Sequence, residues 1–535
     1  MLYCRLLMPR QTAERKPASP SAASRGRATP ILLDAAVVLL TLVCFWPITR
    51  FYFAQDDFIL IEQATRGIGS AVGGFFDARP GQFRPLTKGV YFALTWPLLG
   101  LNPVAFHVLS IVLHAANAIL VAVLLRRMGV TMAVSRFVAA LFALNAGYLE
   151  TVAWVSCVQQ LVGNAFMLLA LIFGIDALEG RGGRRRVAAA GALVLALASY
   201  EQTLAAPAVL LGWHALRHGI RATFGAVRSR LWEQPAILLV YLLFALGVRG
   251  VPDTGPYVMS LGAHVLDNLR TYTALAYEIW LVFPPYGLPG GITVSHIVLV
   301  ALVVYLLVGR RFREVAFGLG AFLALLAPVL FVKEHTHSFH LYVPAIGTWF
   351  IAAVAADDVL ARIPVVRRAA GPLLAGATVL VFVVSAITVR RNTTTMVSDT
   401  FQLPRSFVLR RAVLAERIRD DILVRSRLRG KPGRMILVYL HPEHRANWLN
   451  VHAALGQGSA VRLFLESPDL DVLFVPPSEP PPADDPAIEV MVYTELGRCY
   501  TYAEVEEAER RRAAAQDGEP VPPDSSTVTP PSSGE

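Results

Sequence analysis

The chain has 535 residues, of which 55% are hydrophobic and only 16% charged, and its mean hydropathy is +0.50. Soluble domains carry about 25% charged residues, so this deficit excludes an ordinary globular enzyme and points to an integral membrane protein with a modest soluble part. The formal net charge is +10. Its Lys and Arg residues cluster between apolar runs, as topology signals and anionic-lipid contacts do, and no nucleic-acid-binding motif or basic stripe is visible.

Residues 1–30 form a polar, basic segment. The apolar run that follows is too long for a signal-peptide core and lacks a small-residue cleavage site, so it reads as a retained first helix. A bilayer-crossing helix needs about 20 mostly apolar residues. Candidate spans lie at 31–48, 103–125, 134–149, 160–178, 187–200, 202–216, 235–249, 291–309, 314–332, 341–356 and 370–389, about eleven in all. Residues 86–99, "LTKGVYFALTWPLL", are apolar but short and suit a re-entrant or interfacial helix. A cytoplasmic N-terminus places the Arg-rich loops "RGGRRR", "RHGIRATFGAVRSR" and "RRFRE" inside, as the positive-inside rule requires. Everything after Arg390 then lies outside. The membrane in question is expected to be a bacterial inner membrane.

Residues 391–506 read as a small extracytoplasmic α/β domain. "RMILVYL" and "AIEVMVYTEL" have strand character, "VRLFLESPDLDVLFV" offers another strand or two, and "PEHRANWLNVHAAL" has helical spacing. Residues 507–535 are expected to be a disordered tail. The four cysteines show no metal or redox spacing.

Five polar constellations map to the outer rim of this topology. Asp56 and Asp57 follow the first span directly; a solvated helix end is one reading, a general base the other. Arg84 and Lys88 begin the short apolar segment, where they serve as snorkelling anchors or face a phosphate. His107, Ser110, His114 and Asn117 form one stripe on an apolar span; His107 is the candidate site residue, and His114 and Asn117 are candidates for interhelix hydrogen bonding. Glu201 sits between two spans, with Trp154, Gln159 and Gln160 on the same face. His335, His337 and His340 share one outer loop and could contact a phosphate or sugar, or hold a metal.

Taken together, "QDDF", "FRPL", "GLNPVAFHVLSIVLH", "AWVS", "SYEQTLAAP" and "LYVPAIG" resemble the motif series of membrane-embedded C-type (GT-C) glycosyltransferases, in particular protein O-mannosyltransferase-like enzymes, over residues 31–390. The resemblance implies an inverting transfer of a sugar from a polyprenyl-phosphate donor to a hydroxyl of a protein, lipid or polysaccharide acceptor on the extracytoplasmic face. It implies Asp56 as base with Asp57 in support, and Arg84 and His107 near the donor phosphate or the site wall; Lys88, Glu201, His335, His337 and His340 complete the candidate donor-binding set from the reading of the residues. No cofactor is required on this reading, with a divalent metal on the histidine loop as the alternative. The chain departs from the pattern at Val158, Tyr200 and Ser338–His340, where family members carry basic residues. A transporter or lipid flippase, or an inactive scaffold displaying residues 390–535, are the rival functions.

Overall fold

A computed structural model describes residues 20–73, 75–76, 82–245, 247, 258–277, 292–333, 337–394, 403–404, 406–439, 451–475, 487–493 and 498–516. His335, the Pro-rich stretch 476–486 and most of "PEHRANWLNVHAAL" lie outside these residues.

Each of the eleven apolar segments is helical over most of its described residues. Five are long and apolar enough to cross a bilayer: Ile31–Arg50, Pro103–Arg127, Val155–Leu178, Phe312–Leu330 and Ala370–Thr394. By length and composition these make the chain an integral membrane protein. A sixth crossing is formed if Met132–Ala143 and Ala146–Ala153, bent by 46°, act as one. The break falls at Asn145, whose side chain accepts a hydrogen bond from Gly147 N at 2.9 Å and so caps the new turn. The segments near 187–200, 202–216, 235–249, 291–309 and 341–356 form helices that are shorter or more polar than a full crossing needs.

The helices form one packed body with two chemically different ends. At one end arginines and acids pair off. Arg127 meets the buried Asp176 at 2.6 Å, Arg136 meets Asp34 at 2.9 Å, and Arg362 meets Asp358 at 2.7 Å. Between the ends, polar groups join helices. His114 Nε2 lies 3.0 Å from the Ala143 carbonyl and its Nδ1 2.8 Å from Tyr342 Oη. Asn117 donates to the Leu161 carbonyl at 2.8 Å and accepts from Asn164 at 3.0 Å. These two residues are interhelix hydrogen-bond partners, as their placement on an apolar face suggests.

At the other end the first and last long helices are tied by Arg50, which donates to the Thr393 carbonyl at 2.8 Å. Here the chain also builds a second core. The strands are β1 (Arg434–Tyr439), β2 (Asp471–Val475), β3 (Ile488–Tyr493) and β4 (Cys499–Thr501), in the order β2-β1-β3-β4. β1 is parallel to both neighbours, and β4 is antiparallel to β3. Met435 to Val438 of β1 are all buried, as expected for a parallel strand covered on both faces. The helix Phe407–Arg425 contributes Leu414, Ala415, Ile418 and Ile422 to the same core. Of the stretch read as "another strand or two", only 471–475 is a strand; Ser459–Phe464 is helical. The helix Tyr502–Gln516 runs across the boundary drawn at 507, carried by its Glu and Arg side chains at helical spacing, Glu507–Arg511 among them.

This second core is continuous with the segment that follows the first membrane helix. Tyr52, Phe53, Phe58, Leu60 and Ile61 pack into it alongside Leu455, Val461 and Phe464. The sheet unit is therefore fixed to the acidic segment rather than tethered beside it.

Candidate functional site

The acidic pair begins the short helix Asp56–Thr65. Gln55, just before it, has φ 57° and ψ −121°, and Asp57 N donates to the Ala54 carbonyl at 3.2 Å. That is the first central position of a II′-type turn, where glycine is usual, so a glutamine there is strained. The sheet unit supplies what holds it. Gln55 N donates to the Ala454 carbonyl at 3.1 Å, and Arg411 donates to Gln55 Oε1. Gly456 packs so closely that a Cβ would sit 2.6 Å from the Gln55 carbonyl oxygen. Further along, Arg462 grips Glu62 with two hydrogen bonds of 2.8 and 3.0 Å. Burial alone would raise Glu62, but Arg462 and Arg66 hold its carboxyl below the usual range.

The turn separates the roles of the two acids. Asp57 is buried, and its oxygens accept from Ala54 N at 3.0 Å and Ser156 N at 2.7 Å. It therefore pins the acidic helix to the "WVS" turn. Burial pushes its carboxyl up to about 7, against the lowering effect of the two backbone donors and with a smaller upward push from Asp56. Asp56 points the other way, with its side chain 47% exposed and one oxygen 3.9 Å from Lys88 Nζ.

Lys88 rides on a π-helical turn, Pro85–Val90, a local irregularity often found at functional sites. That turn is stitched to the start of the 201–205 helix: Leu86 N donates to the Ala198 carbonyl at 3.0 Å and Thr87 Oγ1 to the Ser199 carbonyl at 2.8 Å. Burial, then the charge of Arg84, lower the Lys88 ammonium below its ordinary value, while Asp56 and Glu201 oppose that shift. Its contact with Asp56 is an ion pair beyond hydrogen-bond length, and among the described residues it makes no hydrogen bond.

Arg84 has a different part from the one its sequence neighbourhood suggests. It is buried, forks onto both oxygens of Glu201, donates to Gln159 Oε1 at 2.5 Å and lies over the Tyr200 ring at 4.9 Å. Its guanidinium is committed to protein groups, so it acts as a strut under Glu201. Burial pushes the Glu201 carboxyl up, but Arg84 outweighs this and holds it below the usual carboxylate range, an ionised acid with 30% of its side chain exposed.

His107 is also a support. Its Nε2 lies 3.1 Å from the Phe51 carbonyl and the side chain is buried, so it braces the extended stretch that leads to Asp56. His340 Nδ1 lies 2.9 Å from Tyr200 Oη, and its own carbonyl accepts from Gln202 at 3.1 Å. His337 stacks on Phe339 and Phe407. The His337 and His340 rings are 6.3 Å apart, and no group of three His, Cys, Asp or Glu residues among the described residues is placed to hold a metal ion.

The structure thus brings Asp56, Lys88, Glu201, Arg84, Gln159, Tyr200 and His340 into one polar cluster, although they are spread across nearly 300 positions of sequence. Two residues of this region escape sequence reasoning. Glu150 bridges Ser338 at 2.7 Å and Ser406 at 3.4 Å, and Arg411 reaches Gln55 from the sheet unit. Arg411 lies on a helix whose charged face reads as ordinary surface. No signal in "ETVAW" marks Glu150 beyond its position near the rim.

No protein-family profile matches the chain, and no curated protein sequence does. Among solved structures, the crystal structure of ArnT from Cupriavidus metallidurans in the apo state is similar at 13% sequence identity, covering 84% of this chain and 77% of that chain, with a TM-score of 0.40. The chemistry of the site therefore rests on its own residues.

Proposed function

We propose that the chain is a glycosyltransferase that moves a sugar from a polyprenyl phosphate to an acceptor hydroxyl at the polar end of the bundle, with inversion, and that this end faces the extracytoplasmic side. The observation that carries this reading is the half-exposed Asp56 carboxylate set 3.9 Å from the Lys88 ammonium, at the ends of membrane helices. A base and a cation side by side are what such a transfer needs. An acceptor hydroxyl is a poor nucleophile until a carboxylate takes its proton, and the leaving group is an anion that a fixed cation stabilises.

In this mechanism the donor phosphate replaces Asp56 as the partner of Lys88. Their existing contact is loose, so little is lost in the exchange. The freed Asp56 accepts the acceptor's proton as its oxygen bonds to the anomeric carbon. The bond from that carbon to the phosphate oxygen breaks, and the electron pair leaves on the lipid phosphate, neutralised by Lys88. Arg84 keeps Glu201 ionised and oriented toward the sugar hydroxyls, and Asp57, His107 and Gln55 fix the backbone that aims Asp56. The motif resemblance over residues 31–390 supports the same donor class. The short, Pro-containing helix Tyr91–Leu99, with Leu94 and Leu98 exposed, offers an apolar surface beside Lys88 along which a prenyl chain can lie.

Comparison of envelope glycans from a strain lacking the chain tests this directly. One glycan class should disappear, return with the native chain and fail to return with Asp56→Asn expressed at the same level. Unchanged glycans in the deletion strain would refute the reading.

A further inference from the structure

At the opposite, basic end a crevice of about 1120 Å³ runs between the helices Ala206–His218 and Phe312–Leu330. Its walls are small residues, Gly212 and Ala215 facing Ala316 and Gly320, and a Cβ built on Gly320 would meet nothing within 4 Å. Phe317 and Leu216 complete an apolar lining. From Phe312 to Ala324 the groove extends over about 18 Å of helix at 1.5 Å per residue, close to the roughly 15 Å thickness of one hydrocarbon leaflet. A groove of that length and lining is shaped for an acyl chain.

The mouth is cationic. Arg217, His218, Arg221 and Arg313 line the crevice, and no acid does. The acids nearby are already engaged: Asp358 by Arg362, Arg311 and Tyr305, Glu314 by Arg311, and Asp357 by Thr131. Arg217 lies over Trp213 and donates to the Met128 carbonyl at 3.3 Å. Arg221 and Arg313 have no carboxylate partner among the described residues; Arg313 only overlies the Phe312 ring at 5.8 Å. Cations left over at the end of an apolar groove, at bilayer-surface height, complement a lipid phosphate.

We infer that this crevice is a site for an anionic phospholipid of the leaflet at the basic end, one acyl chain lying between Gly212 and Gly320 and the phosphodiester held by Arg221 and Arg313. The site is separate from the Asp56 cluster and does not depend on glycosyl transfer.

Native mass spectrometry of the full chain, released from micelles containing equal phosphatidylglycerol and phosphatidylcholine, reads the site. The native chain should retain phosphatidylglycerol over phosphatidylcholine by roughly thirtyfold, as two surface arginines at about 1 kcal/mol each predict. The double variant Arg221→Ala/Arg313→Ala should bring the ratio to near one, and Arg221→Lys/Arg313→Lys should keep most of it. Gly320→Phe, whose ring projects into open space, should reduce retention of both lipids, and Asp56→Asn should change nothing. No preference in the native chain, or a preference that survives both the double alanine variant and Gly320→Phe, would overturn the inference.

Discussion

The two ends of the helix bundle carry charge in opposite ways. At the basic end the buried acids are held by several groups each: Asp176 has Arg127 and Arg181 on one oxygen, and Asp358 has Arg362, Arg311 and Tyr305. At the polar end Arg84 with Glu201 and Arg462 with Glu62 are equally tight, but Asp56 and Lys88 stop short of a hydrogen bond. A tightly held pair has little capacity left for a ligand, whereas a loose pair held by stiff neighbours can trade partners at little cost. On the proposed function, the difference separates charges that hold helices together from charges that do chemistry.

Breaking a strut at each end should give the largest contrast. Arg84→Ala leaves an ionised acid and Gln159 without their partner and should cost about 3–5 kcal/mol of stability. Arg362→Ala leaves Asp358 with Arg311 and Tyr305 and should cost less than about 1 kcal/mol. Thermal unfolding in detergent measures both, and equal losses would erase the distinction. Next in size is the joint between the sheet unit and the acidic turn. Gly456 has φ 54° and no room for a Cβ beside Gln55, so Gly456→Val should loosen the joint by about 1–3 kcal/mol. Gly430→Ala, at φ 67° with open space around it, should be milder. Limited proteolysis between the unit and the bundle reports the difference.

A third effect is a pH signature at Asp57. Its folded value is about 7 against an ordinary 3.8, so between those values the folded state binds more protons than the unfolded one. Its contribution to stability is therefore greatest at low pH and declines as pH rises toward 7. The stability difference between the native chain and Asp57→Asn should drift in that direction from pH 4 to 7 and level off above. A flat difference would place Asp57 in a more solvated setting than the turn provides.

Much of the bundle is legible in the sequence because membrane helices announce themselves by long apolar runs, and the Arg clusters mark one end. Which runs cross fully is less legible, since length is traded against tilt, bends such as that at Asn145, and packing. The site was readable as a list and not as an arrangement. Asp56, Lys88 and Glu201 are visible as acids and bases at one rim, but nothing in "FRPL" says that Arg84 faces inward to Glu201. His107 likewise looks like a site residue until its bond to the Phe51 carbonyl shows it bracing the chain. The strained Gln55 is invisible in sequence, because its conformation is imposed by Ala454 and Gly456, some 400 residues away.

The central claim is that the loose pair at the polar end is the working one. Purified chain supplied with a polyprenyl-phosphate sugar and acceptor should release polyprenyl phosphate, and the initial rate can be compared for Asp56→Asn and Asp358→Asn, one acid at each end. The account predicts a fall of roughly 10²–10⁴-fold for Asp56→Asn, the usual worth of a general base, and a rate within about twofold of native for Asp358→Asn. Undiminished release by a folded Asp56→Asn chain would contradict it.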